Sequence, residues 1–501
     1  MSEPEGLGDV PAPVMRAQLH RMADWVADYR EGIERRPIVP RLRPGQVTAE
    51  FPSRMPERGM DISQVLDSLD QLVMPGIVHW GHPRFLGYFG STSNGPALLG
   101  EIAAAALNVS AMTWKTSPAA TELETVVLGW MRDLIGLPSG LFGVVYDTAS
   151  VAVVHALAAA RERALGDVRG EGLLGRPTAP VLRVYASDQA HSSVEKAMVL
   201  LGLGERNVVR IASDDAFRMD PAALRRVMSA DRERGLRPFA VVATVGSTSS
   251  ASVDSVLEMG GVCDEFDAWL HVDAAYGGAM GALPEGRWVM RGMERADSVV
   301  FNPHKWLFVP LDFSALYLRD PVILRDTFAR TPEYLEGDAS SPGADGQQAV
   351  DYMDYGVQLG RRFRALKAWM VLSTFGREGI VSRIREHCRL AASVRELVEE
   401  TEGFELAAPV TMAVVCFRYC ATGMSAEDAD AVNRRIVERI NGSGAAYLTY
   451  TTLRQRVCMR IGFGNMQTTE DHVREVWRLI LAEVERLSSS DTNPPTSATI
   501  S

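Results

Sequence analysis

The chain has 501 residues, 46% hydrophobic and 23% charged, with a formal net charge of −11. That length exceeds what one hydrophobic core usually supports, so more than one structural unit is expected in a protein of ordinary globular composition. The acidic balance, without a concentrated run of Lys and Arg, argues against a nucleic-acid partner, and no apolar run approaches the roughly 18 residues of a membrane span.

The first residues carry Glu3, Glu5 and Asp9 and no apolar segment, so no signal peptide is expected. The cysteines, Cys263, Cys388, Cys416, Cys420 and Cys458, are odd in number and lack paired metal-ligand spacing; they suit a reduced cytoplasmic setting better than a disulfide framework. Met15, Leu19, Met22, Val26 and Tyr29 recur at helical spacing, predicting an amphipathic helix with one apolar stripe to bury. Pro37, Pro40, Pro44 and Pro52 follow and read as an arm laid over another surface.

Residues 79–124 are dense in aromatics and short motifs. Trp80, Tyr88 and Phe89 read, from the residues alone, as core aromatics sooner than as a pocket wall. His79 and His82 have no acid or cysteine set beside them, so no metal is expected. Val144-Val145-Tyr146 then leads as a strand into Asp147-Thr148-Ala149-Ser150 and a long helical pattern. Strand, hydroxylated turn and helix start make an anion site, because free N–H groups face outward and the helix dipole favours negative charge. The same residues also read as an ordinary helix cap.

Residues 184–187 form the next predicted strand, running into Asp188-Gln189-Ala190-His191; a satisfied core histidine is the ordinary reading of His191. Residues 239–245 form another, ending in Gly246 and hydroxyls through Thr248. The most informative stretch is 269–306. Trp269-Leu270-His271-Val272 stops at Asp273, and Ser298-Val299-Val300-Phe301 runs into Asn302-Pro303-His304-Lys305-Trp306. Both runs suit buried strands of a mostly parallel sheet, whose ligands collect beyond the strand ends. Lysine forms a Schiff base with an aldehyde cofactor, and an acid fits a protonated pyridine nitrogen, so the pair Asp273 and Lys305 points to pyridoxal phosphate. Of the four lysines, Lys115, Lys196, Lys305 and Lys367, only Lys305 stands between His and Trp after an apolar strand.

A strand at 314–318 precedes the segment 331–358, whose polar, Gly/Pro-rich middle predicts a mobile loop and a candidate lid. Residues 360–369 are expected to open a long helix, their arginines forming a structural charge network. The remainder, with strands at 412–417, near Tyr447 and at 457–461 and a last helix presenting Val473, Val476, Ile480, Val484 and Leu487, reads as a smaller α+β domain.

His271-Val272-Asp273-Ala274-Ala275-Tyr276 followed by Asn302-Pro303-His304-Lys305-Trp306 resembles the group II pyridoxal-phosphate decarboxylases, and among them the aromatic-L-amino-acid decarboxylases. The likeness runs from the N-terminal helix to the last helix. It implies an α/β, fold type I enzyme with a mostly parallel central sheet. The expected units are an N-terminal arm or dimerisation segment (1–90), a large cofactor domain (91–370), a small C-terminal α+β domain (371–487) and a disordered tail (488–501). It also implies a homodimer with shared active sites.

By the same resemblance Lys305 carries pyridoxal 5'-phosphate, Asp273 meets the ring nitrogen and His191 stacks on the ring and takes part in catalysis. Thr148, Ala149 and Ser150 lie at the phosphate, with Thr248, Ala275, Asn302 and His304 beside the cofactor. Tyr334, in Pro332-Glu333-Tyr334-Leu335, matches a loop tyrosine that returns a proton after carbon dioxide leaves. Residues matching Trp80, Tyr88, Phe89, Gly90 and Ser91 border the substrate, joined by Ser110 and Met112 from the neighbouring subunit. This chain departs from the better-known members in having Ser110 and Met112 in place of larger side chains, Gly90 in place of a proline, and no glycine-rich phosphate turn. A differently shaped pocket is expected.

The expected reaction is decarboxylation of an L-amino acid, aromatic by the resemblance, to the amine. One rival lets oxygen intercept the carbanion, giving an aldehyde, ammonia and peroxide; Tyr334 and His191 together favour plain decarboxylation. A transaminase and a non-catalytic cofactor-binding homologue are further alternatives.

Overall fold

The computed structural model describes residues 9–90, 92–330 and 349–490. The expectations for Ser91, for Tyr334 with most of the candidate lid, and for the tail at 491–501 therefore lie outside the described residues, whereas 488–490, expected in that tail, belong to the last helix.

The main sheet has seven strands: β1 (Phe142–Tyr146), β2 (Leu182–Ser187), β3 (Val208–Ile211), β4 (Arg237–Thr244), β5 (Trp269–Asp273), β6 (Ser298–Phe301) and β7 (Ser314–Leu318). Their order is β1-β7-β6-β5-β4-β2-β3. The pairs among β6, β5, β4, β2 and β3 are parallel, and β7 alone runs against both neighbours. β4 to β7 are buried nearly along their whole length, so their sequences are continuous apolar runs, as strands covered on both faces must be. The expected mostly parallel α/β sheet is present.

Parallel strands need long returns. The helices Ala149–Leu165, Ser193–Leu200, Pro221–Glu233 and Val256–Phe266 supply them between β1 and β5. Because β7 is antiparallel to β6, their connection needs no long helix and holds only the single turn Pro303–Trp306. That short connection carries Lys305.

A second, antiparallel sheet consists of β8 (Phe404–Leu406), β9 (Val414–Tyr419), β10 (Thr449–Leu453) and β11 (Arg456–Gly462), ordered β10-β11-β9-β8. The helix Ala426–Ser443 packs on β11 and β9. The last helix, Glu470–Ser490, adds Trp477 against Phe404 and Phe417. Here the strand boundaries move from those expected. β9 starts and ends two residues later than the expected 412–417, and Tyr447 precedes β10 because its backbone pairs with Phe85 instead. Leu86 N–H donates to Tyr447 O and Gly462 N–H to Leu86 O, both at 2.9 Å, so the segment 85–90 is laid on the small sheet.

The long helix runs Ala365–Glu400, interrupted at Gly376, and does not open at 360. Residues 361 and 362 are occupied in backbone pairing with the 110–111 segment, which forbids helical dihedrals there. At the end of the segment 331–358, beyond its polar middle, Tyr352, Met353 and Tyr355 are buried. The first helix, Ala12–Glu31, buries none of its residues, leaving Met15 and Leu19 exposed. No helix among the described residues is long and apolar enough to cross a membrane.

Candidate active site

Asp273 ends β5 opposite Val300 of β6. Its carboxylate accepts the Ala275 N–H at 3.0 Å, and Asn302 N–H donates back to Ala275 O at 3.2 Å, so the loops after the two strands are tied together. Lys305 follows within one turn. Burial lowers the pKa of its amine, Asp273 opposes that shift and the nearby Arg460 adds to it. An amine that sheds its proton more easily is a better nucleophile toward a carbonyl.

The residues around Lys305 are locked. Trp306 is fully buried, stacked on Tyr276 with ring centroids 4.9 Å apart. Asn302 Oδ1 accepts the Ser314 hydroxyl at 2.6 Å, and His304 Nδ1 accepts the Phe313 N–H at 3.0 Å. Burial, with Lys305 next in effect, pushes the His304 pKa down to about 4, so that ring stays neutral.

His191 follows β2. Its Nδ1 accepts the Ser193 N–H at 3.1 Å, which leaves the neutral ring's proton on Nε2. Part of the ring is exposed, and burial of the rest lowers its pKa; Asp273 opposes the shift and Lys305 adds to it. Asp273, Lys305 and His191 thus lie within mutual electrostatic reach.

At the end of β1 the helix Ala149–Leu165 starts after Thr148 with no side-chain cap. Thr148 N–H turns to Asp147 Oδ1 at 2.6 Å. The first-turn N–H groups beside the half-buried Thr148, Ala149 and Ser150 are thus uncapped donors suited to an anion. Beyond β4, Gly246 has φ 86° and a Cβ there would lie 2.7 Å from Gly277 N, so only glycine lets this turn rest on the loop after Asp273. The turn presents Thr248, which is exposed. An acid, an enclosed amine, a neutral imidazole and an uncapped helix start along one sheet edge form a donor set that fits an aromatic aldehyde with an anionic arm.

Among the expected pocket residues, Phe89 enters this cluster. Its ring stacks on Tyr276 at 4.0 Å, with Lys305 Nζ 4.8 Å and Arg460 Cζ 4.7 Å from its centroid. Trp80 and Tyr88 stack on each other at 5.4 Å but are 39% and 48% exposed, which corrects their reading as core aromatics. Trp80 stacks on Phe85 as well, at 4.7 Å, so the two rings form a half-exposed aromatic cluster beside the small sheet. Gly90 is buried there, against Gly464 and Asn465. Ser110 and Met112 are anchored elsewhere, Ser110 Oγ accepting Arg361 N–H at 3.3 Å and Met112 O accepting Met353 N–H at 3.0 Å.

Arg460 was not singled out in the sequence, although a lone charge inside the apolar run 457–461 is a signal. It is 4% exposed, donating from Nη1 to Tyr88 O at 2.7 Å and from Nε to Ser249 O at 3.1 Å. Tyr447 was read only as part of a strand. Its hydroxyl lies 3.0 Å from that of Tyr88, whose φ is 55°.

The model of the pyridoxal-dependent decarboxylase conserved domain matches residues 44–420. The chain is 37% identical over 498 residues to tryptophan decarboxylase 1 of Oryza sativa, covering 95% of this chain and 96% of the relative. It is 36% identical to a phenylacetaldehyde synthase of Arabidopsis thaliana, covering 96% of this chain and 99% of the relative. The crystal structure of an Oryza sativa TDC with PLP and tryptamine superimposes with a TM-score of 0.91 at 36% identity, covering 96% of this chain and 99% of that one. Likeness on this scale, over nearly the whole length, places the chain in the pyridoxal-dependent decarboxylase family, as an enzyme whose cofactor is pyridoxal phosphate.

Proposed function

We propose that this protein removes the α-carboxylate of an aromatic L-amino acid, yielding the amine and carbon dioxide. The observation that carries the proposal is the enclosed Lys305 amine under the field of Asp273, at the ends of adjacent parallel strands, with the Phe89 ring over it. Bound pyridoxal phosphate supplies the electron-withdrawing ring that takes up the electrons released as carbon dioxide departs.

Lys305 is the amine for the cofactor aldehyde, and Asp273 holds the proton on the ring nitrogen. His191 would stack on the ring, with its Nε2–H free to meet the substrate. Thr148, Ala149 and Ser150 would bind the phosphate, and Thr248, Ala275, Asn302 and His304 would lie beside the cofactor. Trp80, Tyr88, Phe89 and Ser91 border the substrate, and Tyr334 returns the proton. The partial exposure of the stacked Trp80 and Tyr88 rings supports an aromatic ligand.

The first helix supports a homodimer, because Met15 and Leu19 of its apolar stripe stand exposed on the single chain. Ser110 and Met112 then serve the second copy's site, with residues 1–90 as arm, 91–370 as large domain and 371–487 as small domain. Five free cysteines support a reducing, cytoplasmic location.

The second reading, oxidative deamination to an aldehyde, follows from the 36% identity to an aldehyde synthase, against 37% to the tryptophan decarboxylase. Incubating the holoenzyme with L-tryptophan, L-tyrosine and L-phenylalanine, and assaying carbon dioxide, amine, aldehyde and peroxide, tests both. One amine per carbon dioxide is expected. Stoichiometric aldehyde and peroxide would replace the proposal by the second reading, and no carbon dioxide from any aromatic amino acid would reject both.

A further inference from the structure

The outer edge of β1 is closed by two side chains instead of another strand. Among the described residues β1 pairs only with β7, so N–H and C=O groups on its other side need partners. Glu124 Oε1, from the helix Pro118–Ile135, accepts the Val145 N–H at 3.0 Å, and Arg361 Nη2 donates to Val145 O at 2.9 Å. The two side chains pair fork to fork, Nη2 to Oε1 at 2.6 Å and Nη1 to Oε2 at 3.1 Å. Arg361 Nη1 donates further to Ala111 O at 3.1 Å, while Ala111 N–H donates to Arg361 O at 2.8 Å. The guanidinium and carboxylate are 5% and 2% exposed.

A buried ion pair must overcome the desolvation of both charges, so it is a weak device for stability alone. Its planar, bidentate geometry defines position well. This pair holds two segments that the chain itself does not connect closely. One is the end of β1, which runs from Val145 directly into residues 147–150. The other is Ala111, between Ser110 and Met112.

We propose that Arg361 and Glu124 are positioning residues that hold the phosphate cradle at 148–150 and the substrate wall at 110–112 in one fixed register. The proposal rests on the roles given above to those two segments. With Ser110 and Met112 facing the second copy, the pair joins the cofactor seat of one subunit to the substrate wall of the other. Neither side chain needs to touch the reacting atoms.

The test uses Arg361→Lys, which keeps the charge but loses the fork, and the double variant E124Q/R361Q, which removes both charges and keeps hydrogen-bonding groups. Three quantities are measured: the pyridoxal phosphate Kd by titration of the cofactor-free protein, KM and kcat for L-tryptophan with the holoenzyme, and amide hydrogen exchange in cofactor-free protein. Loss of one or two charge-assisted bonds should raise both the Kd and KM by roughly tenfold in R361K, with KM rising more than kcat falls. Exchange at Val145 and Ala111 should quicken together, and the double variant should lie between R361K and the unmodified chain. A folded R361K with unchanged Kd and KM would overturn the proposal, as would a weakened Kd with exchange at both amides unmoved. Should R361K not fold, the double variant decides by the same measurements. The exchange experiment reports on the clamp even if no amino acid were decarboxylated, a result that would sink only the functional reading.

Discussion

The indole N–H of Trp306, the residue after Lys305, donates to Nδ1 of His387 at 3.0 Å, and Nε2 of that ring donates to Asn465 O at 3.1 Å. Asn465 in turn donates from its side-chain nitrogen to Gly81 O at 2.9 Å. One neutral imidazole therefore links the lysine turn to the long helix, the small domain and the residue beside Trp80. Both ring nitrogens are engaged, and burial holds the His387 pKa down at about 4.

Replacing His387 by Leu is expected to leave the Trp306 N–H buried without a partner and to cost about 1–3 kcal/mol of stability. Urea unfolding with an unchanged m-value would show it; an unchanged midpoint would mean that the contact contributes nothing.

His271, His304 and His387 are each held neutral by burial with pKa near 4, against an ordinary value of 6.5. Between those values the unfolded chain binds protons that the folded chain does not. Their contribution is therefore complete above pH 6.5 and is lost as pH falls toward 4, by on the order of 3 kcal/mol per ring at the limit. Melting temperatures of the cofactor-free protein should drop through this window, less steeply in H387L. A flat profile from pH 7 to 4.5 would contradict it.

Asp273→Asn removes the carboxylate that raises the pKa of both Lys305 and His191, so both groups should titrate at lower pH than before. With the ring nitrogen no longer kept protonated, carbon dioxide release should fall by roughly 10³-fold. Lys305→Ala should fall at least as far and should release the cofactor on gel filtration. A rate within threefold of the unmodified chain in either variant, an order-of-magnitude threshold, would remove that residue from the mechanism.

The Tyr88 and Tyr447 hydroxyls lie 3.0 Å apart beside the Trp80 stack. Tyr447→Phe frees the Tyr88 phenol while keeping the ring stacked on Phe85. KM for L-tryptophan or L-tyrosine should change by up to about tenfold, with kcat nearly constant, because one exposed hydrogen bond is lost on a binding wall. Equal KM values for both substrates would place this pair outside the pocket.

Met15 and Leu19 stand 40% and 51% exposed on the first helix. Changing both to Glu should convert a dimer to a monomer in sedimentation velocity and, through the loss of the Ser110 and Met112 wall, reduce activity. A monomeric unmodified chain would reject the shared-site arrangement.

The charge network expected from the arginines at 361–364 is present: Arg361 meets Glu124, Arg362 meets Glu101 and Arg364 meets Asp312. The network's existence was legible in the sequence because arginines clustered before an apolar helix need acids to pair with; which acids they found was not.

Residues 269–306 by themselves determined the strand pair, the strand ends and the acid and lysine at them. A strand buried on both faces is written as an apolar run, and its end is written where the run stops, so these are local signals. The cofactor chemistry followed from two residue types at two such ends. Only the tertiary structure decided the rest of the site. Arg361 and Glu124 are 237 residues apart, Tyr88 and Tyr447 are 359 apart, and Arg460 reaches Tyr88 across 372. Such contacts leave no periodic trace in the chain, because partners are chosen by the way sheets and loops stack and not by spacing along the backbone. Exposure of Trp80 and Tyr88 was decided in the same way, since an aromatic residue reads as core until the surface on which its segment lies is known.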